Sequence, residues 1–196
     1  MGSIVVAAKN NDIDRVKYLL EHNANVNVKS TDGFTALAMA SYCGNFEIVK
    51  LLVEHGANVN LETDYHEYPI TLAADNNHFN IIKYLVEHGA DVNVKEGCDI
   101  TALMWAIGNN NLEMIKFLLN HGADVNVKDN CDGYTPLMLA VSYIPHFPEI
   151  IKYLLNHGAN VNAKNDNGGT ALTLAKAKNF PEIIKLLVEH GADPQC

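Results

Sequence analysis

The string His-Gly-Ala-Asn/Asp-Val-Asn returns at His55, His88, His121 and His157, with a variant at His22-Asn23-Ala24-Asn25-Val26-Asn27 and a shortened copy at His190-Gly191-Ala192-Asp193. Successive copies lie 33, 33, 33, 36 and 33 residues apart, and Lys17, Lys50, Lys83, Lys116, Lys152 and Lys185 keep the same register. A unit of this size buries too little apolar surface to fold alone. Its neighbours must therefore stack on it, and stability comes from each unit plus its contacts with adjacent units.

Each period has an internal order. Thr35 can cap a first helix over Ala36-Leu37-Ala38-Met39-Ala40, whose small residues allow close stacking. A second segment carries Ile48, Val49, Leu51 and Leu52 at helical spacing and runs to Gly56, the residue type that supplies a left-handed stop. Two short helices and a loop per period predict an all-α solenoid of six helix-turn-helix repeats. The expected boundaries are 1–28, 29–61, 62–94, 95–127, 128–163 and 164–196, all within one domain over 1–196. The outer repeats read as caps: residues 1–10 lack an opening hairpin, and the chain stops just after Ala192-Asp193.

The pattern resembles the ankyrin repeat family, D-x-x-G-x-T-P-L-H-x-A-A, a second helix, then G-A-D-V-N. Thr135-Pro136-Leu137-Met138-Leu139-Ala140 and Thr170-Ala171-Leu172-Thr173-Leu174-Ala175 match its first half, and the His-Gly-Ala strings match its second, over nearly the whole chain. The family's His after the Leu is replaced by Ala38, Thr71, Met104, Met138 and Thr173, so its hydrogen bond needs a substitute. The third repeat departs furthest, with His66-Glu67-Tyr68-Pro69-Ile70 lacking both turn glycine and capping Thr. The fifth is two residues longer between its helices, in Ser142-Tyr143-Ile144-Pro145-His146-Phe147-Pro148.

Composition narrows the function. Apolar residues make up 48% and charged residues 19%, the balance of a folded chain. A net charge of -9 argues against nucleic acid or an anionic membrane as the main partner, since both demand clustered Lys and Arg. No apolar run approaches the roughly 18 residues of a membrane span, and no leader or lipidation motif is present. Four cysteines without a C-x-x-C pair, and no glycosylation sequon, point to a reducing, cytoplasmic setting, or a host cytoplasm for a secreted effector.

Catalytic and metal constellations are not expected. The six register histidines cannot share a metal, because stacked helices lie about 8–10 Å apart and zinc ligands sit much closer together. They read instead as last-turn residues serving the terminal carbonyls. Glu47, Glu113, Glu149 and Glu182 recur in register as first-turn residues facing the helix dipole. Cys98 and Cys131 fall in adjacent hairpin loops, yet repeat spacing favours free thiols over a disulfide. Cys43 has no base to activate it. The chain is expected to be a non-enzyme without cofactor.

The Asn column at 27, 60, 93, 126 and 162 is expected to close each hairpin. In family members from animal cells the matching Asn can be hydroxylated by a cytosolic dioxygenase, which the resemblance implies here for a eukaryotic source. It also implies partner binding by hairpin tips and first helices on a concave face. Carried over by register, this gives Phe34, Tyr42, Tyr65, Glu67, Asp75, Asn76, Ile100, Tyr134 and Tyr143, with Thr31, Asp32, Cys43, Asp64, Cys98, Asn109 and Ser142 beside them. Phe34, Tyr65, Ile100 and Tyr134 should form a row of anchors. Trp105 shares the register of Met39, Leu139 and Leu174 and is assigned to core packing. The expected function is binding of another protein or peptide by a monomer. The alternative is an inhibitory or targeting subunit, a microbial effector among them, that blocks or positions one enzyme.

Overall fold

The computed structural model describes residues 3–143 and 148–194. The insertion residues Ile144-Pro145-His146-Phe147 lie outside this range, as does Cys196. Twelve helices occur among the described residues, in six pairs, with one isolated bridge between Lys29 and Thr35. The chain divides into two compact units, Met1–Gly97 and Cys98–Cys196. None of the described helices is long and apolar enough to cross a membrane.

The first unit holds α1 (Ile4–Lys9), α2 (Ile13–Glu21), α3 (Ala36–Cys43), α4 (Phe46–Glu54), α5 (Pro69–Asp75) and α6 (Phe79–Glu87). First helices stack on first helices, α1 on α3 and α3 on α5, while second helices stack α2 on α4 and α4 on α6. The alanines make this possible: Ala36, Ala38 and Ala40 of α3 and Ala73 and Ala74 of α5 are wholly buried. Ile48, Val49 and Leu52 of α4, with Ile81, Ile82 and Leu85 of α6, fill the space between layers. The second unit repeats the plan with α7 (Ala102–Gly108), α8 (Leu112–Asn120), α9 (Pro136–Tyr143), α10 (Pro148–Asn156), α11 (Ala171–Ala177) and α12 (Pro181–Glu189). There α7 and α11 pack on α9, and α10 on α12.

Helix ends follow local chemistry. Thr35 Oγ1 accepts the Ala38 N–H at 3.0 Å, and Thr170 does the same for Thr173 at 3.2 Å. Gly56 takes φ +84° after α4, a left-handed conformation that ends the helix at little steric cost. Each register histidine donates from Nδ1 to the carbonyl four residues earlier. The distance is 2.7 Å at His22, His55 and His88 and 2.8 Å at His121, His157 and His190. Four of these rings also lie on the aromatic ring at that earlier position, as His121 does on Phe117 with centroids 4.0 Å apart. The column therefore ties down helix ends, as expected.

The Asn column does something different from closing its own hairpin. Asn60 Nδ2 donates to the Gly89 carbonyl at 3.0 Å and its Oδ1 accepts the Asp91 N–H at 2.9 Å, both in the next repeat. Asn27 makes the same pair with Gly56 and Asn58, Asn126 with Gly158 and Asn160, and Asn162 with Gly191 and Asp193. Turn closure falls to the residue two before it: Asn58 Oδ1 accepts the Asn60 N–H at 3.0 Å.

Replacing Asn60 with Ala leaves the Gly89 carbonyl and the Asp91 N–H without their amide partner. The expected loss is about 1–3 kcal/mol, read as a lower urea midpoint at unchanged slope. Glu47→Gln, which removes the exposed Lys50 pair at 2.8 Å and one first-turn charge, should cost less than about 1 kcal/mol.

Candidate functional site

Hairpin tips and first helices carry the candidate residues, and the tips are built around buried polar side chains. Thr63, Asp129 and Asn165 are 1%, 9% and 8% exposed although all are polar. Thr63 Oγ1 accepts the N–H groups of Tyr65 and Glu67, both at 3.2 Å. Asp129 Oδ1 accepts those of Cys131, Asp132 and Gly133 at 2.9–3.2 Å, and Asn165 Oδ1 those of Asn167 and Gly169. Each tip is thus folded around one acceptor, which fixes where the flanking side chains point.

Tips also bond to the next tip. The Asp64 N–H donates to the Gly33 carbonyl at 3.1 Å, and Lys29 pairs with the Asp64 carboxylate at 2.7 Å. In the second unit the Asn130 N–H donates to the Cys98 carbonyl at 2.9 Å and the Asp166 N–H to the Asp132 carbonyl at 3.0 Å. Cys98 and Cys131 are joined by a disulfide, with Cα atoms 5.7 Å apart. This corrects the expectation of free thiols. Helix axes set the wide spacing of repeats, but bonded hairpin tips draw together well inside it, within reach of a disulfide. Cys43, at the end of α3, is a free and exposed thiol.

The departing third repeat is repaired locally. His66 adopts φ +60° where Gly33 stands in the preceding tip, and Pro69 opens α5 at a position that needs no N–H donor. The Thr71 hydroxyl accepts the Tyr68 N–H at 3.1 Å and also bonds the Glu96 carboxylate, supplying in this repeat a cross-hairpin bond where the family has His. At Ala38, Met104 and Met138 buried apolar packing stands in its place. Glu62 receives hydrogen bonds from His66 at 3.2 Å and from the Tyr68 hydroxyl at 3.1 Å. These hold its carboxyl below the ordinary range, His66 contributing most, while burial and Glu62 push the Tyr68 phenol up. With the folded value depressed, the small contribution of Glu62 is present above the ordinary carboxylate range and lost as pH falls through the lowered value.

The structure spreads the candidate residues unevenly. Tyr42, Tyr65 and Tyr143 are 47%, 62% and 70% exposed, and Asp75 is exposed as well. Phe34, Glu67, Asn76, Ile100 and Tyr134 are half-buried. In the first unit Phe34 and Tyr65 meet with ring centroids 5.7 Å apart, so these two row members do adjoin. Two candidates carry structural bonds: Asn76 Nδ2 donates to the Leu72 carbonyl at 3.0 Å, and Glu67 accepts from the Thr63 hydroxyl at 3.2 Å.

In the second unit Tyr134, Ser142 and Tyr143 line one cavity of about 300 Å³, together with Asp129, Asp132, Leu139, Leu174 and Lys178. The Lys178 ammonium closes one side by donating to the Ser142 carbonyl at 2.9 Å. Leu139 and Leu174 escaped the sequence reading because an apolar residue at that register looks like core. Both are half-buried, as are Met39 and Trp105, which corrects the placement of Trp105 in the core. The available signal was their shared place four residues after the helix cap, on the side of the first helix that carries the candidates.

Gly133 holds φ +73°, and an added Cβ would run into the Asp166 side chain and backbone. Gly133→Ala should therefore cost about 1–3 kcal/mol by urea denaturation. Gly122→Ala, strained at φ +87° but facing open space, should cost less because nothing has to move aside.

A family model described as ankyrin repeats, three copies, matches residues 4–96, 94–165 and 130–196. Among solved structures, an ankyrin repeat domain from Acinetobacter baumannii AYE is similar at 30% identity with a TM-score of 0.91. The match covers 97% of this chain and 98% of that one. None of the curated proteins matches the chain. A periodic stack of paired helices, a family model spanning it end to end and a solved relative of the same extent lead to one conclusion: the chain belongs to the ankyrin repeat family.

Proposed function

We infer that this protein binds a protein or peptide partner through the face made by its hairpin tips and first helices. Ankyrin repeats generally serve as protein–protein interaction modules rather than as enzymes. The observation that carries the reading to particular residues is the cavity walled by Tyr134, Tyr143, Leu139 and Leu174, with Asp132 beside it. Tyrosines with an apolar body and a polar tip give large contact area for two torsions of entropy, and a concave seat that mixes Leu139 and Leu174 with Asp129, Asp132, Ser142 and Lys178 suits both parts of such anchors. In the first unit the adjoining Phe34 and Tyr65 rings and the exposed Tyr42 offer a second group of the same character. With -9 net charge, the partner is a protein or peptide, not nucleic acid or an anionic membrane. Asp132, exposed at its tip, favours basic side chains at the edge of the contact, where charge governs encounter more than affinity.

The test compares capture of a partner from cell extract by the intact chain, by Tyr134→Ala/Tyr143→Ala and by Phe34→Ala/Tyr65→Ala, each shown folded by circular dichroism. Loss of two aromatic anchors should weaken a captured partner about tenfold or more in a titration with the purified species. Equal affinity of all three proteins would remove the tip and first-helix face as the binding site.

A further inference from the structure

Cys98 and Cys131 occupy neighbouring hairpin tips of the second unit, and the backbone holds them together independently of their sulfurs. The Asn130 N–H donates to the Cys98 carbonyl at 2.9 Å. The Asp129 carboxylate fixes the turn that follows by accepting the Cys131, Asp132 and Gly133 N–H groups. The Cα separation of 5.7 Å falls inside the span of roughly 4.4–6.8 Å that a disulfide bridges without moving the backbone. Cys131 is exposed and Cys98 half-exposed, so small thiols and disulfides reach the pair. A bond buried in a core could be opened only by unfolding, whereas this one sits on two surface loops.

We propose that Cys98 and Cys131 form a reversible thiol–disulfide clasp between adjacent tips, closed by a small-molecule disulfide of the glutathione class and opened by a dithiol with the fold intact. The more exposed Cys131 thiolate attacks one sulfur of the glutathione disulfide. A mixed disulfide forms and one glutathione thiolate leaves. The Cys98 thiolate then attacks the Cys131 sulfur, the Cys98–Cys131 bond forms, and the second glutathione leaves as thiolate. The pair gives up two electrons and two protons, and one glutathione disulfide is reduced to two thiols. Closure ties the ends of a 33-residue loop, so it removes freedom from the unfolded chain and from the 129–133 turn alike. The clasp stands whether or not a partner docks on the tips.

The experiment incubates the folded, full-length chain with oxidised glutathione or with dithiothreitol, alkylates it without denaturant, and reads intact mass, mapped peptides and amide exchange. Two results are expected in the oxidised sample: a linked Cys98–Cys131 peptide two hydrogen atoms lighter than its two thiol peptides, with Cys43 outside the link, and slower exchange at residues 130–133. Dithiothreitol should then restore alkylation at both sites while circular dichroism stays unchanged. Cys98→Ser should leave Cys131 trapped as a glutathione adduct. Alkylation of both cysteines after oxidation would overturn the proposal, and so would separate glutathione adducts without ring closure. A linked chain that dithiothreitol opens only in denaturant would overturn its reversibility. Should the serine variant misfold, the oxidised and reduced wild-type samples decide the matter alone.

Discussion

Asn27, Asn60, Asn126 and Asn162 each span two repeats with one side chain, and the tips stack on repeats clamped in this way. A carboxamide is suited to the task because it carries a donor and an acceptor on one planar group. The C-terminal turn of a second helix leaves a glycine carbonyl unpaired, and the chain just beyond it presents a free N–H. Asn60 satisfies both at once, at Gly89 and Asp91. Aspartate could not donate and serine could not reach both, so the column is a requirement of geometry and not of composition. With repeats clamped at this level, the apolar stripes of the helices meet in register and the tips come within bonding distance of each other.

What lies at the tips depends on the same logic at smaller scale. A hairpin that protrudes from a stack has few apolar contacts, so its backbone N–H groups must be gathered by something local. Thr63, Asp129 and Asn165 do this from buried positions. Because the turns are anchored from within, the turn backbone does not rely on the side chains outside them. Tyr65, Asp132 and Tyr134 can therefore face outward on fixed mounts. The same fixed mounts bring two cysteines of adjacent repeats together, which mobile loops would not do.

Departures from the repeat pattern show where the stack tolerates change. The third repeat loses its glycine and capping threonine, but His66 accepts the left-handed conformation and Thr71 takes up the Tyr68 N–H. Thr71 also reaches Glu96, so one hydroxyl does the work of two residues. Thr173 bonds the Thr170 backbone in the same way in the last repeat, while Ala38, Met104 and Met138 fill the site of the family histidine by buried apolar packing. Repair is always local, because each repeat touches only its neighbours.

Fold and repeat number were legible in the sequence because periodicity is a property of order along the chain. The capping Thr35, the stop at Gly56 and the histidine column act within a few residues of themselves, so their roles could be read directly. Long-range roles could not. Whether the Asn60 amide closes its own turn or reaches the next repeat, whether Trp105 and Leu139 are core or half-exposed, and whether Cys98 meets Cys131 all depend on distances between segments about 30 residues apart. An apolar residue at a given register carries no mark of which side of its helix is covered. Those distances exist only once helices have stacked and tips have bonded, and tertiary packing alone decided them.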